Sequence, residues 1–301
     1  MLIPEPVFPH LCHFPILTIA FPHSRIIALN CIYSERINAI SVCFYNGIQI
    51  SRAEHIRLME LEKSIRDYQL SLNRPMQSGF DFSDWPVIKP VDDGKDMELV
   101  MMHWELIPFY FKTWAEVDKF RKGGFNPKTG KKDPPKNTLN AIGEEMLKKP
   151  TYRNAALKRR CLVLSSGFYE WRHFTPPGEK KDIAYPYRIT LKDREYFFIG
   201  AIWQPWTDHE TGETIEGFSI VTTKANELME QVHNKKKRMP LILSEELARE
   251  WIKDLPEERI NEIASYQFPS SQMIATPIEK TFRTSGDPTQ PCEYKELPEL
   301  I

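Results

Sequence analysis

The stretch CLVLSSGFYEWRHF, residues 161–174, is the strand signal that decides the fold class of this chain. It is rich in aliphatic and aromatic residues, which favour the half-buried surface of a β-sheet. Three segments of the same kind follow at 184–191, 195–206 and 216–223, and DHETGET makes a hairpin-like turn before the last one. Closely spaced strands joined by short turns predict a mostly antiparallel sheet.

Elements outside this strand-rich stretch are less regular. MELVMMHWELIPFYF (97–111) is predicted to be a buried strand that ends in a Pro turn. Pro and Gly residues predict loops at 73–96 and 121–137. Apolar residues at helical spacing predict helices in four segments: 51–72, 141–160 with a break at Pro150, 224–233, and 244–252 with Ser244 at its N-cap.

The order of these elements predicts the architecture. Strands and helices interleave without a repeated strand–helix–strand unit, which is typical of α+β proteins. No internal repeat or long linker interrupts residues 43–301. We therefore predict one domain with a mixed, mostly antiparallel, barrel-like β core, flanked by short helices and a basic cleft.

Composition limits the function classes. The 301 residues carry a net charge of −1, with 41% hydrophobic and 27% charged residues, as in ordinary globular proteins. The five cysteines contain no CxxC pair and are widely spaced, which favours a reducing cytoplasm over a disulfide framework. No apolar run approaches the roughly 18 residues of a membrane span. We expect a cytoplasmic protein without a membrane partner, metal or cofactor, in which nucleic acid would be bound by local basic patches.

Residues 1–42 differ from the rest of the chain, because they contain no Gly, Lys, Asp, Gln or Trp. They are a flexible extension, a propeptide, or upstream sequence that is not part of the protein. The last explanation predicts that translation starts at Val42, because the valine codon GTG also serves as a bacterial start codon. Cys43 would then become the terminal residue after removal of methionine.

Four motifs follow Cys43 in a characteristic order: WELIPFYFK (104–112), TLNAIGEE (138–145), SSGFYEW (165–171) and TTKANELMEQVHNKKKRMPLIL (222–243). Together with Cys43, they resemble the SOS-response-associated peptidase family, also called abasic-site processing proteins. The resemblance extends over roughly residues 42–292. The reactive residue of that family is a cysteine directly after the initiator methionine, and Cys43 occupies this place.

The chemistry of an abasic site explains why a terminal cysteine is needed. The ring-opened sugar exposes an aldehyde, and an α-amine with a pKa of about 7.7–8.0 is partly neutral at pH 7, unlike lysine at about 10.4. The neutral amine forms a Schiff base, and the thiol of the same residue closes a five-membered thiazolidine ring. An internal cysteine cannot form this adduct.

The resemblance also implies roles for three other residues. Asn140 would orient the cysteine or the opened sugar, Glu170 would act as a general acid and base, and His233 would shuttle protons. Each residue also has a structural interpretation on its own. Asn140 fits a turn or helix cap, Glu170 a paired strand carboxylate, His233 a helix C-terminus, and Cys43 a small buried residue.

DNA contacts are predicted from the same motifs and from the lysine and arginine runs beside them. The runs RKGG, KTGKK, LKRR and KKKR flank the motifs, although such runs are also common on solvated surfaces. Core packing is equally consistent with Trp104. The predicted DNA-binding residues are Thr222 and Thr223 for the backbone, Trp104, Tyr110 and Trp171 for base stacking, and Lys236 and Arg238 for phosphates.

Some residues depart from the family pattern. Phe44 and Tyr45 replace the usual Gly-Arg, Ile142 replaces an arginine, and Glu105 and Tyr110 stand at variant places in the first motif. These changes affect predicted DNA contacts and leave the predicted reactive residues in place.

Three functions remain open from the sequence. The resemblance implies a lyase-type protein of the DNA damage (SOS) response that crosslinks reversibly to abasic sites and protects the lesion. The alternatives are a thiol autopeptidase, a hydrolase that removes residues 1–42 with Cys43, Glu170 and His233, and a non-covalent single-stranded DNA-binding protein. The expected partner is single-stranded DNA with abasic sites, including single-strand/double-strand junctions, and the expected protein is a nucleoid-associated monomer.

Overall fold

The computed structural model describes residues 44–49, 72–91, 96–126 and 129–301. Cys43 and the predicted helix at 51–72, except for Leu72, lie outside these ranges. Within them, no helix has both the length and the apolar character that a membrane crossing requires.

The elements of these ranges are numbered here in chain order. The strands are β1 (Tyr45–Gln49), β2 (Asn73–Ser78), β3 (Asp84–Val91), β4 (Asp96–Trp104), β5 (Gly124–Asn126), β6 (Lys131–Asp133), β7 (Asn140–Ile142), β8 (Arg160–Ser165), β9 (Gly167–Phe174), β10 (Ile183–Leu191), β11 (Phe197–Thr207), β12 (Thr214–Lys224), β13 (Arg238–Pro240), β14 (Ile242–Leu243) and β15 (Met273–Pro277). The helices are α1 (Trp114–Lys122), α2 (Gly143–Met146), α3 (Pro150–Lys158), α4 (Glu227–Val232), α5 (Glu245–Trp251) and α6 (Glu257–Ala264).

A closed barrel forms the centre of the fold. Its five strands follow one another in the order β12, β4, β3, β8 and β11, and β11 pairs with β12 to close the ring. The β4–β12 pair is parallel and the other four pairs are antiparallel. The buried ring of Trp104 packs against two other buried rings, those of Trp85 and Phe218, and its centroid lies 6.0 Å from each of them. The predicted barrel-like, mostly antiparallel α+β fold is confirmed.

A second sheet carries the residues of greatest functional interest. Its strand order is β15, β10, β9, β1 and β2, and every pair is antiparallel. Strand β9 continues directly from barrel strand β8 through Ser166. The chain therefore passes from the barrel into this sheet at one residue.

The prediction of one continuous strand over 161–174 is wrong, because β8 and β9 belong to different sheets. Hydrogen bonds to β1 fix the change of direction. Ser165 Oγ donates to Asn46 Oδ1 at 2.6 Å, and the Ser166 N–H donates to the Gly47 carbonyl at 2.8 Å. These long-range bonds define a corner that the local sequence pattern does not indicate.

The two predicted loops are also wrong in part. Strands β2 and β3 lie within 73–96, and β5 and β6 form a hairpin within 121–137. Pro75 is tolerated because β2 is an edge strand. Pro86 and Pro90 lie outside Val87–Ile88, the only part of β3 that pairs with β8. The missing proline N–H groups therefore fall where β3 pairs on one side only.

The helix predictions within the structurally described part of the chain are confirmed. The 141–160 segment splits into α2 and α3, with Pro150 at the first turn of the second helix. Helices α4 and α5 lie inside their predicted ranges, and Ser244 Oγ accepts a hydrogen bond from the Leu247 N–H at 3.2 Å. Helices α1 and α6 were not predicted.

Candidate active site

A buried pair of side chains, Glu170 and His233, is the clearest reactive arrangement in the structure. Glu170 is 4% exposed and His233 is 6% exposed, and His233 Nε2 lies 3.7 Å from Glu170 Oε2. This distance permits electrostatic contact but is too long for a direct hydrogen bond. The Nδ1–H group of His233 donates to the Arg238 carbonyl at 3.0 Å. That bond assigns a proton to Nδ1 and turns Nε2 toward the carboxylate.

Local structure holds His233 against β9. Asn226 is the N-cap of helix α4, and its Oδ1 accepts a hydrogen bond from the Met229 N–H at 3.0 Å. The helix ends before His233, and the next residue, Asn234, binds the main chain of His173 on β9. Its Oδ1 accepts from the His173 N–H at 3.0 Å, and its Nδ2 donates to the His173 carbonyl at 2.7 Å. Asn234 therefore acts like a short strand partner at this edge of β9.

The pair has the properties of a proton-transfer site. A carboxylate is costly to bury without a nearby cation or hydrogen-bond donor, and the imidazole of His233 lies 3.7 Å from that of Glu170. Both side chains are of types that can exchange protons, and both are almost completely shielded from solvent. Such an arrangement suits general acid–base catalysis, which needs a group that both gives and accepts a proton near neutral pH.

Asn140 lies on β7, which pairs in parallel with β12. The half-buried residue accepts a hydrogen bond at its carbonyl from the Tyr152 hydroxyl at 3.2 Å. Four residues later, Glu144 forms a bidentate ion pair with Arg238, with N–O distances of 3.0 and 2.8 Å. Because the Arg238 carbonyl also binds His233, one network connects the Asn140 segment to the Glu170–His233 pair.

Phe44, the residue after Cys43, is the first that the structure describes. Phe44 packs on Phe80 with ring centroids 4.3 Å apart, and its carbonyl accepts from the Gly79 N–H at 2.7 Å. Strand β1 then pairs Tyr45 with Tyr169, the residue before Glu170. The beginning of β1 therefore lies beside the part of β9 that carries Glu170.

Several predicted DNA contacts are buried. Trp104 is completely buried and stacks on Phe218, so its packing is that of a core residue. Thr222 and Thr223 are buried as well, and the Thr222 hydroxyl accepts from Arg238 Nη2 at 3.2 Å. The DNA-backbone role of the two threonines stays a prediction without an exposed hydroxyl to support it.

The predicted aromatic and basic contacts differ in accessibility. Tyr110 is 49% exposed, whereas Trp171 is half-buried beside Tyr45 and Phe282. Neighbours on a strand point to opposite faces, so Trp171 and Glu170 lie on different faces of β9. Lys236 is exposed, and no carboxylate in the described ranges pairs with it.

The arginines of the basic runs serve the fold. The guanidinium of Arg238 is largely occupied by Glu144 and the Thr222 carbonyl. Arg160 of the LKRR run is buried and donates to the carbonyls of Ala156, Leu157, Trp251 and Lys253. The predicted basic cleft therefore depends mainly on lysines.

The structure also identifies site residues that the sequence did not indicate. Glu144 orients Arg238, and Asn234 attaches the His233 loop to β9. Both residues lie within the quoted motifs, Glu144 in TLNAIGEE and Asn234 directly after His233. Their positions could have suggested a supporting role, but their partners are distant in sequence.

The variant residue Glu105 belongs to a second buried charged cluster. Glu105 is buried and pairs with Arg121 of α1 at 2.6 Å. Burial raises the pKa of Glu105, and the Arg121 guanidinium opposes this effect. His103 Nε2 lies 3.3 Å from Arg121 Nη2, and burial, followed by the charge of Arg121, lowers the pKa of His103 to about 4. The cluster connects α1 to the barrel.

This cluster predicts an acid-sensitive fold. An unfolded histidine takes up a proton near pH 6.5, whereas folded His103 does so only near pH 4. Neutral His103 therefore makes its full contribution to the free energy of unfolding above pH 6.5. This contribution falls by about 3 kcal/mol as the pH is lowered toward 4. The raised pKa of Glu105 acts in the opposite direction. The variant His103→Gln should flatten the loss, as measured by urea unfolding between pH 7.5 and 4.5. Equal losses in the two proteins would contradict this assignment.

Comparison with known proteins identifies the family. The model of the SOS response associated peptidase (SRAP) family matches residues 81–284 of this chain. The chain belongs to the SRAP family. The match includes Asn140, Glu170 and His233, and it begins after Cys43.

Individual SRAP relatives agree with this assignment. Abasic site processing protein YoqW of Bacillus subtilis is 31% identical over 166 residues, which are 55% of this chain and 62% of that protein. Abasic site processing protein HMCES of Xenopus tropicalis is 24% identical over 247 residues, covering 75% of this chain and 66% of that protein. The SRAP chain described here therefore spans less than two thirds of either relative.

A solved structure matches the fold. The crystal structure of a protein from Bacteroides thetaiotaomicron has a TM-score of 0.68 and 30% sequence identity to this SRAP chain. The match covers 82% of this chain and 97% of that one. The overall fold is therefore shared with a protein of known structure.

Proposed function

We propose that this SRAP chain processes abasic sites in single-stranded DNA through a reversible covalent crosslink to Cys43, in a form that begins at Cys43. The observation that carries the proposal is the buried Glu170–His233 pair, located on and against β9, which pairs with the strand that follows Cys43. The names of the relatives YoqW and HMCES support the abasic site as the substrate.

The crosslink forms in two steps, Schiff-base formation and ring closure. The neutral α-amine of Cys43 attacks the C1′ aldehyde of the opened sugar, and loss of one water gives a Schiff base. The thiol then adds to the carbon of this C=N bond, and its proton moves to the nitrogen. The product is a thiazolidine that contains C1′, the α-nitrogen and the sulfur. Reversal breaks the C–S bond first and then returns the water.

Glu170 and His233 supply the proton transfers that these steps need. Opening of the sugar moves a proton from the C1′ hydroxyl to the ring oxygen, and loss of water from the amine adduct needs an acid. The buried carboxyl group can donate and accept these protons, while His233 restores its protonation state across the 3.7 Å gap. Asn140, on β7, would orient the sugar or the cysteine.

The DNA strand is expected to contact accessible groups near this centre. Tyr110 is exposed and suited to base stacking, and Lys236 is exposed and suited to a phosphate. The preference for single strands or junctions and the monomeric state are part of the same proposal. The crosslink would shield the lesion from strand cleavage.

The test compares two protein forms and two DNAs. One form begins at Cys43 and the other at Met1, and each is incubated with an abasic oligonucleotide or with an intact oligonucleotide of the same sequence. Only the Cys43 form with abasic DNA should give a heat-resistant band, whose mass equals protein plus DNA minus one water. A band with intact DNA, or none with abasic DNA, would overturn the proposal.

The same samples also test the peptidase alternative. A full-length chain that shortens on incubation to a product beginning at Cys43 would favour self-cleavage as the route to the reactive terminus. A chain that stays full-length would remove the case for self-cleavage. Non-covalent DNA binding without any band would favour the simple binding protein.

A further inference from the structure

A cavity of about 450 Å³ lies in the segment between the first two motifs, apart from the Glu170–His233 pair. This volume is within the roughly 300–1,000 Å³ of typical small-ligand sites. Its wall contains three aromatic residues, Phe111, Phe120 and Phe125, and two lysines, Lys119 and Lys136. The proposed crosslinking chemistry uses none of these residues.

The cavity is formed by α1 and the β5–β6 hairpin. Helix α1 is capped at its C-terminus by Gly123, where a φ of +65° and the close approach of the Asp133 carbonyl leave room only for glycine. The returning chain is attached to the helix by a hydrogen bond from the Lys136 N–H to the Phe120 carbonyl at 3.1 Å. These contacts hold the aromatic wall in place before any ligand binds.

Exposed aromatic rings continue from the cavity to Tyr110. Phe125 is 68% exposed on the hairpin, and Phe109 and Tyr110 are 57% and 49% exposed. Ring centroids are 5.5 Å apart for Phe109 and Tyr110, 4.8 Å for Tyr110 and Phe111, and 5.2 Å for Phe111 and Phe120. Large exposed aromatic residues grouped in this way indicate a binding surface.

The charge of this segment complements a phosphate backbone. Residues 112–136 contain eight Lys or Arg and three Asp or Glu, in a chain of net charge −1. Both acidic residues at the cavity already bind neighbours: Glu116 accepts from the Lys112 N–H at 2.6 Å, and Asp133 accepts from Asn126 Nδ2 at 2.8 Å. Lys119 and Lys136 have no acidic partner within the described ranges. Their charges are available for an anion.

From this combination we infer that the cavity binds one unpaired nucleotide of the DNA strand that flanks the abasic site. The base would stack against Phe125 and the cavity wall, and its phosphates would contact Lys119 and Lys136. The hairpin residue opposite Phe125 is Lys132, which lies on the same face and adds a third charge near the base. The inference rests on the proposed function, because the lesion defines which strand is bound.

The test uses single-stranded oligonucleotides that carry one tetrahydrofuran abasic analogue, which has no aldehyde and therefore binds without crosslinking, and 2-aminopurine at successive positions beside it. Stacking on an aromatic ring quenches this base, so one position should be quenched by the wild-type protein. Phe125→Ala should restore its fluorescence and weaken binding roughly 5- to 100-fold, as expected for loss of one stacked base. Lys119→Ala combined with Lys136→Ala should weaken binding and reduce its salt dependence. Ile274→Ala, which removes another exposed apolar side chain on β15, is the matched control and should change neither signal.

Crosslinking at saturating protein separates this inference from the proposed function. Retained crosslinking of Phe125→Ala to abasic DNA, together with the affinity loss, supports both. Absence of any crosslink in the wild type, with affinity still dependent on Phe125, would overturn the proposed function alone. Unchanged affinity and fluorescence in Phe125→Ala, or equal quenching in fully paired duplex, would overturn the nucleotide site alone.

Discussion

Cys43→Ser, in a chain that begins at residue 43, is expected to abolish the heat-resistant crosslink to abasic DNA. The serine variant keeps the α-amine and can still form a Schiff base. Its hydroxyl is a much poorer nucleophile than a thiol, so the ring that stabilises the adduct does not persist. The loss should be complete on a denaturing gel after heating. Addition of cyanoborohydride should recover a band, because reduction traps the Schiff base.

The control for this prediction is Cys292→Ser. Cys292 is a half-buried free cysteine, and the same substitution there should leave crosslinking unchanged. A heat-resistant band of normal intensity from Cys43→Ser, without reductant, would contradict the thiazolidine. A band that is lost in both variants would indicate a general effect of thiol loss rather than chemistry at Cys43.

The barrel could be predicted because its strands are long and strongly apolar. The segments of β8, β11 and β12 contain enough β-branched and aromatic residues to be recognised without tertiary information. The corner at Ser166 could not be predicted, because its cause is a set of bonds to Asn46 and Gly47, more than a hundred residues earlier. Proline was a misleading signal at 73–96. Local propensity does not show on which side a strand has no hydrogen-bonding neighbour, and there proline is tolerated.

In the candidate site, too, some features could be predicted from the sequence and others could not. The resemblance identified Glu170 and His233, and the fold places them together because Asn234 attaches the His233 loop to β9. Motif order carries no information on exposure, so it did not distinguish Tyr110 from buried Trp104. Nor did it show that Arg238 is held by Glu144, a partner 94 positions away. Contacts between distant segments decide which basic residues remain exposed.

Glu170→Gln should slow both formation and reversal of the crosslink by about 10²- to 10⁴-fold, the usual contribution of a general acid–base group. Glutamine has nearly the same shape and can keep hydrogen bonds, but it neither donates nor accepts a proton at neutral pH. Affinity for intact single-stranded DNA should be unchanged, because Glu170 is 4% exposed and its proposed role is at the sugar rather than at the phosphates. Single-turnover crosslinking, and release of a preformed crosslink into excess abasic DNA, measure the two rates.

Glu105→Gln provides the matched comparison for Glu170→Gln, since Glu105 is the other buried glutamate within the described ranges and belongs to a separate cluster with Arg121. Its crosslinking rate should equal that of the wild type. If Glu170→Gln also crosslinked at the wild-type rate, proton transfer would have to come from another group, and the Glu170–His233 pair would be structural. If both variants were equally slow, the effect would reflect loss of a buried charge. A slow Glu170→Gln beside a normal Glu105→Gln would assign the proton transfer to the carboxyl group that faces His233 Nε2.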